Sequence, residues 1–582
     1  MSEENQKVDA SLRLALKIPV EERSESDGLL EGYLVDSQKW NLIVKYAGDI
    51  KRLVNVFPDT RIVELFNQFA IVTILERYIE AFVGMPEVQF VEKPKRLYFN
   101  LDLGRSVSCI TTVQGTVGRA RTPEGGLSLT GKGVLVGIID SGIDVNHPDF
   151  RDEDGKSRIA FLWDQGSQEE GTRIPIGYGF GREYSSEELA QETNVQLERG
   201  TGHGTAVAGV AAGNGNASPG NKYRGVAVES SLIVVKLGRS EREFAGSTEV
   251  MEGIDYAIQK AIQLDMPIAI NLSFGTNYGP HDGRSLFEEY IAQLNGIWKN
   301  VIVIASGNEG DARHHKQVRL EGEEKEITFA IGPREREMNL QIWKEYADTF
   351  SIYLESPGGE RVRILEREEE AVSYRIDGKP VWVYYGVPTP FSTSQEIYFS
   401  WMTLTEGGFV ETGIWKIILV PEEIKSGRVS LWLPTVEAVG LSTGFFESDV
   451  ETTLTIPSTG QNVITVGAYR AENDSMAPFS GRGNTADGRQ KPTLVAPGVG
   501  VMAPRAGGGY AMQTGTSIAA PFVTGSAALL MEWGIVRGND PYLYGEKVKA
   551  YLIKGARKLP GFSEWPNPQA GWGALCVADS IP

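Results

Sequence analysis

The spacing of hydrophobic positions changes several times along the chain and divides it into regions. Residues 1–27 are mostly polar and predict a leader, whereas residues 28–105 alternate short strand-like and helix-like patterns. In order, these patterns predict a strand at 33–46, a helix near 49–56, strands at 61–65 and 69–74, a helix at 75–84 and a strand at 88–99. This β-α-β-β-α-β order predicts a ferredoxin-like unit, to which we assign residues 28–108.

Almost wholly apolar runs alternate with helix-like segments over residues 131–311. Such runs are typical of buried parallel strands, and the alternation predicts a parallel sheet with helices on both faces. The predicted strands are 134–139, 232–237, 268–272 and 301–307. The same pattern returns at 463–468, so we expect an α/β domain that is built from residues 109–311 and 456–582.

Residues 312–455 carry a different pattern, in which short strands are separated by Gly, Pro and Asp turns. The predicted strands are 326–331, 338–343, 350–354, 361–365, 372–376, 381–385, 396–401, 415–420 and 429–433. Short strands at regular spacing predict an antiparallel β-sandwich, which we interpret as a jelly roll inserted into the α/β domain.

The composition limits the classes of binding partner and the cellular location that can be expected. With 57 basic and 76 acidic residues, the net charge of −19 disfavours nucleic acid and anionic membranes as partners. No run approaches the roughly 18–20 apolar residues of a membrane span, and residues 1–30 lack the apolar core of a signal peptide. We therefore expect no membrane span and a cytoplasmic protein. Only Cys109 and Cys576 occur, far apart in the sequence, so no disulfide framework is predicted.

Three polar residues stand where a serine hydrolase would need them. Ser517 lies between a small-residue turn and a helix-like run, Asp140 ends an apolar strand, and His203 precedes a small-residue helix. A serine hydroxyl needs a base to remove its proton, an imidazole titrates near neutrality, and a carboxylate can fix the imidazole tautomer. Each residue alone is more often a turn, a cap or a structural histidine, but the three together, in this order, predict nucleophilic catalysis.

Asn308 belongs to the same set because it follows the apolar run at 301–304 and the sequence Ala-Ser-Gly. An Asn after Gly is often only a left-handed turn residue. Its position between the His and Ser segments favours a second role, as a donor to an oxyanion together with the backbone N–H of Ser517.

The segments at 140–144, 202–205, 306–308 and 515–521 resemble the subtilase (subtilisin-like serine protease) family, and similarity extends through 131–311 and about 455–582. The resemblance implies a serine endopeptidase with Asp140, His203 and Ser517 as the triad and Asn308 in the oxyanion hole. It also implies two walls of a substrate-binding S1 pocket, formed by Ser273, Phe274 and Gly275 and by Ala305, Ser306 and Gly307.

Within the subtilases, the chain is similar to the clostridial spore-germination (Csp) proteases. This likeness implies a pro-region that acts as an intramolecular chaperone, is cut near residues 99–113 and stays bound noncovalently. It also implies a spore-associated location and a protein substrate, such as the zymogen of a spore cortex-lytic enzyme. Some members of that group have lost triad residues, so a catalytically silent scaffold or signal-sensing pseudoprotease is the alternative function. The insert could also bind a glycan or another protein.

No cofactor or metal is expected. Asp149 matches a calcium-ligand position of some subtilases, but residues 213–220 depart from the usual calcium loop. His314 and His315 are adjacent without a Cys or a third His nearby, so we expect exposed loop residues rather than a zinc site.

Overall fold

The computed structural model describes residues 7–18, 32–34, 37–93, 100–114, 127–169, 171–191, 197–198, 202–238, 246–295, 297–368, 370–389, 392–403 and 408–582. These residues form two units, Met1–Tyr98 and Phe99–Pro582, which are considered separately. Part of the predicted leader and the end of the predicted strand 88–99 lie outside the described residues.

The first unit is built on an antiparallel sheet whose central strand alternates buried and half-buried positions. Its elements are α1 (Ala10–Lys17), β1 (Tyr33–Leu34), β2 (Lys39–Tyr46), a 3₁₀ helix (Ile50–Asn55), β3 (Arg61–Leu65), β4 (Phe69–Leu75), α2 (Ile79–Val83) and β5 (Val88–Glu92). β2 pairs with β4 on one edge and with β1 and β5 on the other, and β3 pairs with β4. Because alternate side chains of β2 and β4 face one side, they bury a single apolar core there.

Residues 7–18 belong to this unit. The prediction assigns them to a separate leader. Val8 bridges Val91, and Leu12 and Ala15 are buried in the same core. The other predicted boundary lies at residue 108, whereas the units divide between Tyr98 and Phe99. Ile110, which the prediction assigns to the α/β domain, lies in the core of the second unit.

The second unit begins with elements that alternate between helix and parallel strand. They are α3 (Asn100–Val107), α4 (Ile110–Gln114), β6 (Leu135–Asp140), β7 (Ile159–Asp164), β8 (Arg182–Ser185), α5 (Ser186–Gln191), α6 (His203–Ala212), β9 (Ser231–Lys236), α7 (Ser247–Gln263), β10 (Ile268–Leu272), α8 (Leu286–Leu294) and β11 (Asn300–Ala305). Short 3₁₀ turns lie at Pro148–Phe150 and Pro219–Asn221.

An antiparallel β region follows β11. Its strands are β12 (His315–Arg319), β13 (Lys325–Ile331), β14 (Glu337–Glu345), β15 (Thr349–Glu355), β16 (Arg361–Ile364), β17 (Ala371–Ile376), β18 (Lys379–Tyr385), β19 (Ser394–Met402), β20 (Gly413–Glu423), β21 (Arg428–Trp432) and β22 (Gly444–Phe445). They form a six-stranded sheet, β12-β21-β14-β19-β18-β17, and a five-stranded sheet, β16-β15-β20-β13-β22. Side chains of both sheets share one apolar core, and all nine strands predicted for this region are confirmed.

The chain then returns to the α/β layer. The remaining elements are β23 (Ile464–Arg470), β24 (Ser475–Met476), β25 (Leu494–Pro497), β26 (Val501–Pro504), β27 (Tyr510–Gln513), α9 (Thr516–Met531), α10 (Glu546–Lys554) and α11 (Val577–Ser580). The sheet order is β24-β23-β11-β10-β6-β9-β7-β8, with β25 beside β23. All pairs are parallel except those of β8 and β24. Helices α6 and α9 cover one face and α7 and α8 the other, as predicted.

Three neighbouring strands of this sheet end at one level. Leu272 of β10 lies opposite Ile139 of β6 and Ile304 of β11. The residues that follow these three positions therefore leave the sheet side by side at its carboxyl edge, where open α/β sheets place their sites.

A disulfide joins Cys109 to Cys576, although the sequence predicts no disulfide framework. The pairing could not be seen in the sequence because 467 positions separate the two residues. Cys109 follows α3, and Cys576 precedes α11, whose first residue, Val577, donates its N–H to Ser108 O. The bridge thus attaches the segment before β6 to the end of the chain.

One helical stretch of the described residues, Thr516–Val536, is long and apolar enough to cross a membrane. However, 89% of the most apolar 18-residue stretch of this helix is buried inside the protein. The apolar character of this helix is explained by its packing between α6 and the sheet.

Candidate active site

The first pair of the site joins a strand end to a helix start. Asp140 ends β6 and is 4% exposed, and His203 begins α6 with 35% of its side chain exposed. The two side chains meet at 2.7 Å between Asp140 Oδ1 and His203 Nδ1. Asp140 Oδ1 also accepts the N–H of Ser141 at 2.7 Å, which fixes the carboxylate. With Nδ1 engaged, Nε2 is the ring nitrogen that is left for proton transfer.

The charge of Asp140 raises the pKa of His203, and this effect outweighs the burial of the ring, which acts in the opposite direction. A carboxylate in this position stabilises the imidazolium form, as general-base catalysis requires once the proton has been taken.

Glu198 supports this pair and was not identified from the sequence. Its Oε1 accepts the hydroxyl of Ser141 at 2.6 Å, and its Oε2 accepts the N–H and hydroxyl of Thr205 at 2.7 and 2.6 Å. Burial raises the pKa of Glu198. The carboxylate therefore holds the loop after Asp140 against the first turn of the His203 helix. The sequence signal for Glu198 is its position five residues before His203, and this spacing is not diagnostic of any role.

Ser517 lies in the first turn of α9, a helix that hydrogen bonds connect to the sheet. Ser273, which follows β10, donates its hydroxyl to Ser517 O at 2.9 Å. Asn271 Nδ2 donates to Ser273 Oγ at 2.8 Å, and Thr524 Oγ1 donates to Asn271 Oδ1 at 2.9 Å. This buried chain of hydrogen bonds connects β10 to the start and the middle of α9.

Asn308 lies against the same turn. Its Oδ1 accepts the N–H and the hydroxyl of Thr516, each at 3.1 Å, which leaves Nδ2 as the donor. A methyl group built on Gly515 would lie 2.9 Å from Ser517 Oγ and 4.0 Å from Asn308 Nδ2, so both groups border one small space. Nδ2 reaches an exposed carboxylate, Glu437 Oε1, at 3.5 Å. Glu437 was not identified from the sequence, since 129 positions separate it from Asn308.

Ser517 Oγ makes no hydrogen bond within the described part of the chain, and the hydrogen bond of His203 runs to Asp140. Catalytic hydrogen bonds are often long before substrate binds and shorten in the complex. The geometry thus contains an oriented imidazole, a serine at a helix N-terminus and an amide donor, the groups that acyl transfer requires.

The six residues predicted to form the S1 walls lie on two neighbouring strand ends. Ser273, Phe274 and Gly275 follow β10, and Ala305, Ser306 and Gly307 end or follow β11. Since the two strands are paired side by side, the two segments leave the sheet next to each other. Their functional role stays a prediction.

The positions considered for metals are engaged in other contacts. The buried carboxylate of Asp149 accepts the N–H of Ala217 at 2.9 Å and the hydroxyl of Tyr510 at 2.8 and 2.9 Å. Across the described ranges, no group of three or more His, Cys, Asp and Glu side chains is arranged to hold a metal ion.

The expectation that His314 and His315 are exposed was wrong. His314 is buried with its Nδ1 at 2.6 Å from Glu309 Oε2, and His315 is buried in β12 against the ring of Trp432. The error arose because this stretch contains polar side chains, whereas its burial comes from the pairing of β12 with β21.

The sequence and the overall structure are similar to those of known proteins. The sequence pattern of the Subtilase family matches residues 131–359 and 436–573, and that of the Csp protease B prodomain matches residues 6–95. The solved structure of the CspB protease of Clostridium perfringens is 34% identical in sequence, with a TM-score of 0.73. That match covers 82% of this chain and 96% of the solved chain.

Two Bacillus subtilis proteases are also similar. The minor extracellular protease Vpr is 25% identical over 480 residues, which is 78% of this chain and 52% of Vpr. The major intracellular serine protease is 30% identical over 182 residues, which is 31% of this chain and 44% of that protease. The chain thus aligns with about half or less of these two relatives. Since the family pattern spans most of the α/β layer and a Csp protease aligns with most of the chain, the chain belongs to the subtilase family and is similar to the Csp proteases.

Proposed function

We propose that this chain is a serine endopeptidase in which Ser517 is the nucleophile, His203 the general base and Asp140 the residue that orients His203. The observation that carries this proposal is the 2.7 Å contact of Asp140 Oδ1 with His203 Nδ1, at the same sheet edge as the Asn308–Thr516 turn. Asn308 Nδ2 and the backbone N–H of Ser517 supply the oxyanion donors.

The reaction follows from these positions. His203 Nε2 takes the proton of Ser517 Oγ as the oxygen attacks the peptide carbonyl, and the negative charge develops between the two donors. Losing one such donor typically costs about 2.7–4 kcal/mol of transition-state stabilisation. During the reaction, Asn308 Nδ2 exchanges the Glu437 carboxylate for the oxyanion, and the exposed position of Glu437 lets it move away.

We further propose that residues 7–93 are a ferredoxin-like pro-region that acts as an intramolecular chaperone and stays bound after cleavage. The match of residues 6–95 to a Csp prodomain and the strand order β5-β2-β4-β3 support this assignment. The two antiparallel sheets between β11 and β23 support an inserted jelly roll.

The cut belongs on the N-terminal side of residue 100, which moves it to the very start of the predicted window of 99–113 or before that window. A scissile segment must be extended to pair with the substrate-binding strands. In contrast, α3 and α4 are helical, Arg105 is buried against Gln114, and Gln114 donates to Val226 O. The stretch just before residue 100 lies outside the described residues.

For the natural substrate, we propose a protein zymogen of spore germination, in a cytoplasmic or spore setting. The likeness to the CspB protease supports this assignment.

Intact mass spectrometry of the purified wild type beside Ser517→Ala tests the proposal. We expect the wild type in two pieces that divide before residue 100 and the Ser517→Ala chain whole. Ser526→Ala is the matched control, because Ser526 lies in the same helix and donates to Phe522 O away from the site. It should be processed like the wild type.

Each other outcome has a distinct meaning. If both wild type and Ser517→Ala stay whole and neither reacts with a fluorophosphonate serine probe, the chain is a silent scaffold. If both are cut alike, another protease makes the cut. A cut inside 100–114 would contradict the revised position while leaving the catalytic assignment intact.

A further inference from the structure

A cleft lies between the outer face of the six-stranded sheet of the insert and two loops of the α/β layer. Its walls come from β14, β21 and the start of β19, from residues 280–284 before α8 and from residues 486–487. The volume of the cleft, about 290 Å³, is at the lower end of the roughly 300–1,000 Å³ that small-molecule sites occupy. The cleft therefore has room for one ring-sized group.

Trp343 of β14 lines the cleft, and hydrogen bonds hold its ring in place. Trp343 Nε1 donates to Gln341 Oε1 at 3.2 Å, and the same oxygen accepts the N–H of Gly279 at 2.9 Å. A Trp ring that is held in this way offers a flat apolar surface at a low cost in conformational entropy. A ligand with an apolar ring face fits such a surface.

The charged groups of the cleft are of both signs. Three acidic and three basic residues line it, namely Asp282, Glu345, Asp487, Arg284, Lys344 and Arg428. A small anion or cation would be attracted by some of these groups and repelled by the others. A hydroxyl group both donates and accepts a hydrogen bond, so a ligand with several hydroxyls can bind groups of either sign. The charge pattern thus favours a neutral polyhydroxylated ligand.

The same face of the sheet continues beyond the cleft as a row of aromatic and polar side chains. Glu396 of β19 lies opposite Trp343. Two positions further along β19, Tyr398 lies opposite Tyr384 of β18. Because alternate residues of a strand share a face, these side chains lie on the same face as Trp343. A methyl group built on Gly386 would lie 3.8 Å from Glu396 Cβ and 3.9 Å from Tyr384 Cε1, so the glycine leaves space beside both side chains.

The polar groups of this row are available to a ligand. Within the described residues, neither the Glu396 carboxylate nor the hydroxyls of Tyr384 and Tyr398 form a hydrogen bond or an ion pair. Burial raises the pKa of Glu396 to about 6. A half-buried acceptor without a donor is unfavourable, and a ligand hydroxyl can supply the missing hydrogen bond.

We propose that the cleft and this row bind a neutral, extended saccharide chain, with one sugar against Trp343 and the next sugars along Tyr398 and Tyr384. Sugar rings combine an apolar face with hydroxyl groups, which matches aromatic rings beside a carboxylate. A peptide cannot dock here by adding a strand, because β14, β19 and β18 are interior strands of the sheet. The net charge of −19 disfavours a polyanion. The inference is independent of the proposed endopeptidase function, because it uses none of the catalytic groups.

Isothermal titration calorimetry of the purified full chain tests the proposal with two unbranched β-linked probes, cellohexaose and chitohexaose. At least one of them should bind with a Kd below about 1 mM. Choline and acetate at the same concentration should give no binding heat. If neither oligosaccharide binds, the proposal is overturned. Binding of choline or acetate in place of both sugars would also overturn it, in favour of a simple ion site.

Variants on the proposed face locate the binding site. Tyr384→Ala removes a side chain that is 40% exposed, and it should raise Kd at least about tenfold, as truncation of an aromatic anchor typically does. Trp343→Ala should have the same effect from within the cleft. Glu396→Gln keeps the shape of the side chain but removes its charge. It should raise Kd about fivefold, since hydrogen bonds to charged groups are the stronger ones.

Tyr353→Ala is the matched control. Tyr353 lies in the opposite sheet between the core residues Ile352 and Leu354, so its side chain faces away from the core. The Kd of this variant should equal that of the wild type. If Tyr384→Ala binds like the wild type, or if both tyrosine variants weaken binding alike, the proposed site is wrong. Tyr384→Ala decides the outcome even if Trp343→Ala fails to fold, because Tyr384 is exposed and lies outside the core.

Discussion

The charge of one residue sets the working range of the proposed base. His203 must be neutral to accept a proton, and the nearby charge of Asp140 raises its pKa above the ordinary value of 6.5. As pH falls, the imidazole is therefore protonated earlier than a free histidine would be. Activity that depends on His203 should be lost at a higher pH than an unperturbed imidazole predicts.

Asp140→Asn tests this relation. In the wild type, kcat/KM should fall as pH drops through a value above 6.5, and in Asp140→Asn this acid limb should move to lower pH. The maximal rate should also fall, by about 10⁴-fold, because the amide no longer holds the required tautomer. Pre-steady-state or long-incubation peptide assays from about pH 5 to 9, a range that brackets the titration of histidine, measure both effects.

Asp144→Asn, four residues further along the chain, is the control and should leave the acid limb of the pH profile in place. An unmoved limb in Asp140→Asn would disprove the electrostatic explanation.

At the scale of elements, the segment α3–α4 is attached to the rest of the second unit at several points. Ser108 O accepts the N–H of Val577, Ile110 lies in the main core, and Cys109 is bonded to Cys576. After a cut before residue 100, these contacts would hold the new N-terminal segment in place. The disulfide closes a loop of 467 positions, and long loops gain the most from cross-linking.

Cys109→Ser should therefore lower the free energy of unfolding by about 2–4 kcal/mol, through the added conformational freedom of the unfolded chain. Urea denaturation, followed by tryptophan fluorescence without reductant, measures the change. Cys576→Ser should give the same loss, and reductant should lower the wild type to the level of either variant without affecting the variants. A wild type that titrates two free thiols in its native state would contradict the bridge.

The elements could be predicted wherever local periodicity decides them. The nine strands predicted between 312 and 455 are present because alternating apolar residues form two inner faces that share a core. The disulfide could not be predicted, since a pairing across 467 positions depends on the tertiary fold. The burial of His315 was missed for the same reason, because a partner strand, β21, covers it.

The same division applies to the site. Asp140, His203, Asn308 and Ser517 stand in motifs that are readable one segment at a time, and the structure brings their segments to one sheet edge. Glu198 and Glu437 carry no local signal, because they contact the site only when other segments fold against the motifs. Sequence patterns thus identify the candidate reacting groups, whereas the residues that contact those groups depend on the assembled fold.

At the scale of the second unit, the inserted sheets and the α/β layer meet in a buried stack of three rings. Trp432 of β21 lies between His281, at 4.2 Å between ring centroids, and His315, at 4.8 Å. His281 precedes α8 in the α/β layer, whereas the other two rings belong to the insert. Burial lowers the pKa of both histidines to about 4. The charged groups that act on these rings are Glu309 for His281, and Asp449 and Lys316 for His315.

The stability of this junction should therefore depend on pH. The unfolded chain binds protons at both histidines near pH 6.5, whereas the folded protein binds them only near pH 4. Unfolding takes up protons between these values, so the free energy of unfolding should fall as pH drops through that window and level off below it. For each histidine, this free energy changes by about 1.4 kcal/mol for every pH unit within the window.

His315→Asn retains a donor toward Glu451 O and removes one of the two titrations, so its stability should decline less steeply with acid. Urea denaturation at intervals across the window compares the two slopes, and carboxylates that titrate there contribute equally to both proteins. Identical slopes would show that His315 does not remain neutral in the folded state, and the acid sensitivity would then have to arise elsewhere.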